Sequence, residues 1–224
     1  TNGLKIETGS VTTLSNNKTF NTGPIQVSGT LVMDANAISG TYTAFTINSN
    51  GTVRTKNANG LRSATGSLQN ASATYNFANT GASVDYNGTS LQTITNTHPY
   101  FHLNIVGSGD KSLAGNTLVN GDFLVTDLGA GLGKVKAATY TLTVNGDWLT
   151  DGVNAFDRGL STVILGGTNK TVDGATDFYI LQIKGSRNVA NVAANQVNVY
   201  NALNLENGSF TATNNGKVTL KSTA

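Results

Sequence analysis

Residues 86–125 read YNGTSLQTITNTHPYFHLNIVGSGDKSLAGNTLVNGDFLV, and residues 165–205 repeat their apolar spacing as LGGTNKTVDGATDFYILQIKGSRNVANVAANQVNVYNALNL. Over the full repeat, 84–125 and 163–205, apolar residues are kept at offsets of 78 to 80 positions while the polar residues between them change. The matched pairs include Val84 with Val163, Tyr86 with Leu165, Leu103 with Leu181, Ile105 with Ile183 and Val119 with Val199. Such a pattern is typical of a repeat protein rather than of an enzyme built around one cleft.

A shorter duplication lies inside this region. TLVNGDFLV at 117–125 returns 25 residues later as LTVNGDWLT at 142–150, with Asn-Gly-Asp in the middle of both copies. Asn-Gly supplies the positive φ that a tight reversal or a corner needs. Similar Asn-Gly or Ser-Gly pairs separate short alternating runs along most of the chain.

The alternating runs predict an all-β protein, and two architectures fit them. Asn-Gly between strands is a hairpin signal, which would give an antiparallel β-sandwich. These pairs, however, recur about every 20–25 residues, whereas a sandwich has turn signals about every 8–12. The spacing therefore favours a parallel β-helix, or β-solenoid, of roughly ten rungs, which at about 4.8 Å between strands would be on the order of 45 Å long.

Composition limits the classes of function. The 224 residues carry 14 basic and 12 acidic groups, with no basic stripe, so nucleic-acid binding has no electrostatic basis. Cysteine is absent, which excludes disulfides and thiolate metal sites. No stretch approaches the about 20 apolar residues of a membrane helix, so we expect no membrane insertion. We expect one continuous solenoid domain over 1–224, least regular at 57–82, and a chain that is a mature product or an excised segment.

Four stretches carry a resemblance to a known group of proteins. They are NANGLRSATGSL (57–68), YNFANTGASVDYNGTSLQTI (75–94), YFHLNIVGSGDKSLAGNTLVNGDFLV (100–125) and YTLTVNGDWL (140–149), and they resemble the repeats of large secreted surface proteins of Bacteroidetes. The resemblance covers about 45–224 well and 1–44 loosely. It implies an extracellular β-solenoid, one stretch of a long adhesin-like or filament-like protein exported by the type IX system. Such proteins are also similar to the haemagglutinin-type β-helices of other bacterial adhesins, and their repeat pattern contains no catalytic residues.

Carboxylate pairs are the first candidates for catalysis, because right-handed β-helices also include polysaccharide lyases and glycosidases. Glycoside hydrolysis needs two carboxyl groups about 5–9 Å apart. The candidate pairs are Asp122 with Asp127, Asp147 with Asp151, and Asp173 with Asp177. Since Asp122 and Asp147 each follow Asn-Gly, the sequence predicts that they are corner residues. We therefore predict no catalytic, cofactor-binding or metal site, with a weak calcium site among these carboxylates as the alternative.

A histidine and aromatic cluster lies at 98–102. Alternation along 101–105 predicts that Phe101 points inward with Leu103 and Ile105, and that Tyr100 and His102 point outward. Such an exposed cluster, with His98 beside it, is suited to stacking a sugar ring or binding a metal. We interpret it instead as a surface aromatic pair, because the second copy replaces both outward residues.

The corresponding residues of the second copy are Phe178 and Ile180 for the outward pair, and Tyr179, Leu181 and Ile183 for the inward three. We expect the two inward sets to stack on equivalent faces of the coil.

The sequence thus predicts a non-enzymatic structural segment of a bacterial cell-surface adhesin or filament. It would act as an extracellular stalk with lateral contacts to glycans or other cell-surface proteins, and it would need no cofactor. The alternatives are a polysaccharide-processing β-helix enzyme, with a groove lined by carboxylates from neighbouring rungs, and a carbohydrate-binding module with an exposed aromatic platform. Ice binding is a minor alternative, because threonine runs such as 139–143 are short. Unpaired strands at both ends predict end-to-end continuation or self-association.

Overall fold

The structure is a computed structural model that describes residues 3–126, 134–151, 155–189, 196–212 and 216–221, with only the backbone described at 188 and 189. Its elements are short β-strands in which buried and half-exposed residues alternate. In chain order they are β1 (Leu4–Ile6), β2 (Val11–Thr13), β3 (Lys18–Phe20), β4 (Pro24–Val27), β5 (Thr30–Asp34), β6 (Ile38–Gly40), β7 (Ala44–Ile47), β8 (Thr52–Thr55), β9 (Thr74–Asn76), β10 (Ser83–Tyr86), β11 (Gln92–Ile94), β12 (His102–Ile105), β13 (Lys111–Leu113), β14 (Thr117–Val119), β15 (Phe123–Val125), β16 (Val135–Lys136), β17 (Thr141–Val144), β18 (Trp148–Thr150), β19 (Phe156–Asp157), β20 (Thr162–Leu165), β21 (Lys170–Asp173), β22 (Thr176–Ile183), β23 (Arg187–Val189), β24 (Gln196–Leu205), β25 (Phe210–Ala212) and β26 (Lys217–Leu220).

All pairings between these strands are parallel. The longest sheet has ten strands in the order β2-β5-β8-β10-β12-β15-β18-β21-β23-β25. The chain is therefore a β-solenoid of about nine turns, which confirms the predicted architecture and excludes the antiparallel sandwich. Nine steps of about 4.8 Å along this sheet span about 43 Å.

Each rung of the coil has three faces. Face 1 contains β1, β4, β7 and β9, then β14, β17, β20 and the second halves of β22 and β24; the bridges Phe77–Tyr100 and Tyr100–Val119 join its two parts. Face 2 is the ten-stranded sheet. Face 3 begins with β3 and β6, and it continues through β11, β13, β16 and β19 to the first halves of β22 and β24 and to β26.

The interior is a stack of apolar side chains in which each inward residue lies on that of the rung before. On face 2 one such column, with every member fully buried, comprises Val53, Val84, Leu103, Phe123, Trp148 and Val172. The rings of Phe123 and Trp148 are 4.7 Å apart within it. Burial of each such side chain stabilises the fold by about 1.5–3 kcal/mol.

The short duplication is one rung, and the long repeat is not a whole number of rungs. Val119 pairs with Val144 across the 25-residue offset. Leu103, in contrast, lies on face 2 and its counterpart Leu181 on face 1. The prediction of equivalent faces was therefore wrong. The rungs differ in length, from the 17 residues between Lys170 and Arg187 to 31 residues in the rung that contains 57–82. Four rungs after Leu103, the chain is again on face 2, in β23. Leu181 lies one face before that point, because the repeat offset is only about 79 residues.

Alternation also resets at the corner between face 1 and face 2. Tyr100 is fully buried, and the next inward residue is Leu103, so Phe101 and His102 both lie between two inward positions and are half-exposed. The predicted orientations of Tyr100 and Phe101 were thus wrong. The alternation resets because Tyr100 still belongs to face 1, where it bridges neighbouring rungs, and the strand of face 2 begins only at His102.

The second copy shows the same reset of the alternation, but at the corner between faces 3 and 1. Phe178 and Leu181 are buried, and Tyr179 and Ile180 between them are half-exposed. The register shifts between Phe178 and Ile180, so this corner is a bulge within one long strand, β22. Tyr179, like Phe101, was wrongly predicted to point inward.

Candidate functional site

The predicted corner carboxylates form a hydrogen-bond ladder along the edge between faces 1 and 2. The Asp147 backbone amide donates to Asp122 Oδ1 at 2.7 Å, and the Thr171 amide donates to Asp147 Oδ1 at the same distance. One rung earlier, the Asp122 amide donates to His102 Nδ1 at 3.0 Å. We call His102, Asp122, Asp147 and Thr171 the corner ladder. Each of its side-chain acceptors binds a backbone donor of the following rung.

The other members of the proposed carboxylate pairs are placed differently. Asp127 lies outside the described residues. Asp147 and Asp151 flank opposite ends of β18, which puts their Cα atoms about 13 Å apart. Asp173 ends a face 2 strand and Asp177 lies on face 3. Among the described residues, no group of three or more His, Asp or Glu side chains is arranged to hold a metal ion.

The two histidines of 98–102 make different contacts. The His98 ring packs on Tyr75 at 5.3 Å and on Phe77 at 5.7 Å. Burial, together with the charge of Arg62, lowers the pKa of His98. The Arg62 guanidinium carbon lies 4.6 Å from the centre of the Tyr75 ring. His98 therefore covers aromatic side chains of face 1, while His102 belongs to the corner ladder.

Two cations are buried inside the coil, and sequence reasoning did not identify either of them. Lys111 Nζ donates to the carbonyls of Gly88 at 2.9 Å and Gly109 at 2.5 Å, and burial lowers the pKa of Lys111 to about 8. Arg187 donates to three backbone carbonyls, including that of Val144 at 2.9 Å, and burial lowers its pKa to about 10. A signal was present: both residues occupy the inward positions of alternating runs, Lys111-x-Leu113 and Arg187-x-Val189.

The described face 3 contains a cleft of about 320 Å³ where successive rungs meet. Its lining, which defines the face 3 cleft, is Lys134, Phe156, Asp157, Arg158, Gly159 and Asp177. Asp157 ends β19 and Asp177 lies in β22, so the two carboxylates come from neighbouring rungs. The sequence analysis named Asp177, but with Asp173 as its partner.

Hydrogen bonds hold the carboxylate of Asp177 at one wall of the cleft. Its Oδ1 accepts from Asn198 Nδ2 at 2.7 Å, and its Oδ2 accepts from the Tyr200 hydroxyl at 3.1 Å. This bond to Asp177 is the main reason that the pKa of Tyr200 is raised. The other carboxylate of the lining belongs to Asp157, whose Oδ1 accepts from the Gly159 amide at 3.2 Å.

Two tyrosines lie beside Arg158 of the cleft, and the ring of Phe156 packs beneath it in the core. The Arg158 guanidinium carbon lies 3.9 Å from the centre of the Tyr200 ring and 5.7 Å from that of Tyr179. Phe156, which is 5% exposed, packs its ring edge-on against Trp148 at 5.0 Å. The cleft thus combines fixed acceptors, a guanidinium and aromatic surface. Lys134, the segment 156–159 and Asp177 come from three successive rungs, and the stacking of these rungs brings them together.

Comparisons with known protein families, with curated proteins and with solved structures find no match to this chain. Within the described residues, no helix is both long and apolar enough to cross a membrane.

Proposed function

We propose that this chain is a rigid, non-enzymatic structural segment of a bacterial cell-surface adhesin or filament. The observation that carries the proposal is the apolar column that runs through successive rungs without a break, from Val53 to Val172 on face 2. A coil stabilised by contacts between neighbouring rungs extends by adding rungs, and its length sets the distance between whatever lies at its two ends.

The final described rung supports this role because its inward residues are apolar and exposed to solvent. Leu205 and Leu220 are 55% and 68% exposed. Their register partners in the preceding rung, Ile183 and Val199 respectively, are buried. Leu203, Phe210 and Val218 occupy further inward positions of this rung and are only partly buried. We infer that another rung covers these residues, supplied by continuing β-structure or by a second copy of the chain.

The first described rung is apolar on face 1, with Leu4 and Ile6 inward, but has polar residues at inward positions of faces 2 and 3. Thr12 pairs in register with the fully buried Leu31, and Lys18 pairs with the fully buried Ile38, so both occupy inward positions. A threonine and a lysine over the core protect this end from uncontrolled pairing better than leucines would. The two ends of the segment therefore differ, which suits a coil that is extended in one direction.

Secretion and a surface location rest on the resemblance of 57–68, 75–94, 100–125 and 140–149 to repeats of Bacteroidetes surface proteins. Antibodies raised against the purified chain test this on intact and permeabilised cells of the source organism. We expect equal labelling of both, with loss of the signal after protease treatment of intact cells. Labelling only after permeabilisation would refute the surface location.

The non-enzymatic part of the proposal has its own test. We expect no new reducing ends or unsaturated products when the chain is incubated with soluble plant, algal and bacterial polysaccharides. Release of such products, lost in Asp157→Asn and Asp177→Asn variants, would instead identify a polysaccharide-processing enzyme with its carboxylates in the face 3 cleft.

A further inference from the structure

The charges that line the face 3 cleft are balanced. Lys134 and Arg158 bring two positive groups, and Asp157 and Asp177 bring two negative ones. An anionic ligand would lie against the carboxylates, and a cationic ligand against the lysine and arginine, in both cases with repulsion. A neutral ligand rich in hydroxyl groups avoids both problems, because each hydroxyl donates one hydrogen bond and accepts others.

The polar groups of the cleft are already held in place. Asp177 is fixed by Asn198 and Tyr200, and Asp157 by the Gly159 amide. Each carboxylate oxygen has two lone pairs, so the bonds within the protein leave acceptor capacity for a ligand. Groups that are ordered before binding lose little conformational entropy when the ligand arrives.

Aromatic surface supplies the complementary apolar contact. Tyr179 and Tyr200 are half-exposed, and Arg158 already covers one face of the Tyr200 ring. The apolar contact therefore falls to Tyr179, whose ring centre lies 5.7 Å from the Arg158 guanidinium carbon. A pyranose ring presents hydroxyl groups at its edge and C–H groups on its faces, and tyrosine offers an apolar ring with a polar tip. A cleft of about 320 Å³ is at the lower end of the range for small-molecule sites, which fits one or two sugar rings.

We propose that the face 3 cleft binds a neutral saccharide, with the sugar hydroxyl groups bound by Asp157, Arg158 and Asp177 and its C–H face against the half-exposed ring of Tyr179. This inference is independent of the proposed structural role, since a stalk needs no ligand site, and a stalk segment without this site would still form the same coil.

Saturation-transfer-difference NMR on the whole chain tests the inference, with maltotriose and cellotriose as neutral probes and trigalacturonic acid as the anionic probe of equal length. We expect transfer to the ring protons of at least one neutral probe and none to the anionic one. No transfer to either neutral probe at millimolar concentration, or stronger transfer to trigalacturonic acid, would overturn the proposal.

Variants locate the binding. Arg158→Ala and Asp177→Asn each remove a charged hydrogen-bonding group, and we expect each to weaken binding by about tenfold or more. Arg54→Ala is the matched control, because Arg54 pairs with Asp85 on face 2, outside the cleft. Melting temperatures show that each variant is folded; Asp177→Asn keeps an acceptor for Tyr200 and changes the coil least. Equal weakening by Arg54→Ala and Arg158→Ala would place the saccharide elsewhere and refute the assignment.

Discussion

The carboxylate of Asp122 accepts a hydrogen bond from the backbone amide of Asp147, 2.7 Å away and one rung further along the coil. Asp147 does the same for the amide of Thr171 in the rung after that. At a corner the backbone leaves the regular sheet, so a side chain must satisfy the amide that the sheet leaves unpaired. The Asn-Gly-Asp motif therefore both forms the corner and links it to the next one.

Removal of this acceptor is expected to destabilise the coil. Asp122→Ala leaves the Asp147 amide without its partner, which costs about 1–3 kcal/mol of unfolding free energy. Asp122→Asn keeps a side-chain oxygen in the same place and is expected to cost less. Urea unfolding measures both, with Asp151→Ala, at an exposed position, as the control. Equal losses for Asp122→Ala and Asp151→Ala would show that the ladder contributes nothing to stability.

Leucines that point into the coil and out of it are expected to respond differently to truncation. Leu103 is fully buried in the face 2 column, so Leu103→Ala leaves a cavity and costs about 2–5 kcal/mol. Leu118 points outward and is 39% exposed, and Leu118→Ala is expected to cost much less. Similar midpoint shifts for the two variants in urea unfolding would contradict the buried column.

His102 requires a revised expectation. Sequence alternation places it on the outside, where truncation to alanine costs little. Its Nδ1 accepts from the Asp122 amide at 3.0 Å, and so His102→Ala removes one step of the corner ladder. We therefore expect a loss in urea unfolding close to that of Asp122→Ala. A loss no larger than that of Asp151→Ala would support the original expectation.

The coil architecture was predictable because its cause is local and repetitive. Alternating runs fix which residues point inward, and the 25-residue duplication gives one rung directly, with Val119 over Val144. Asn-Gly-Asp marked the corners at Asp122 and Asp147, but the number of residues in each corner was not predictable in the same way. At Tyr100 and Phe101 the alternation resets, and the number of residues in a corner depends on how the next rung packs rather than on a period.

The face 3 cleft was missed for a related reason. Asp157, Asp177 and Tyr200 meet across rungs of unequal length, so no fixed spacing in the sequence marks them as neighbours. The buried Lys111 was visible in the alternation, but a lysine at an inward position is usually interpreted as an exposed residue.

The burial of Lys111 predicts a specific pH dependence of stability. Its pKa falls from 10.5 in an exposed lysine to about 8 in the folded coil. Between these values the unfolded chain binds more protons than the folded one, so the contribution of Lys111 to stability rises with pH from about 8 to about 10.5. We expect the unfolding free energy of the wild type, relative to Lys111→Met, to increase from pH 7 to pH 10.

The difference between the two proteins isolates this group, because every other titratable side chain is common to both. Lys221→Met, at an exposed position, is the matched control for loss of one positive charge. Urea unfolding at four pH values provides the measurement. A difference that stays flat over this range would mean that Lys111 is not buried as an ammonium group.

Removal of divalent cations is expected to leave the coil unchanged. Asp122 and Asp147 are the carboxylates of the Asn-Gly-Asp corners, and each already accepts a backbone amide. We therefore expect the same melting temperature before and after dialysis against EDTA. A fall of several degrees that is restored by added calcium would show that a cation is bound among the carboxylates near these corners.

The open final rung predicts association through one end of the coil. Leu205 and Leu220 are inward residues that nothing in the described chain covers, and burying them against another rung removes apolar surface from water. Sedimentation of the whole chain over a range of concentrations is expected to show self-association. Leu205→Lys and Leu220→Lys place charges in the contact and are expected to shift the protein to monomer. Leu91→Lys, at a position 58% exposed on the side of the coil, is expected to leave association unchanged. Association that persists in both end variants and is lost in Leu91→Lys would place the contact on the side of the coil and refute the end-to-end arrangement.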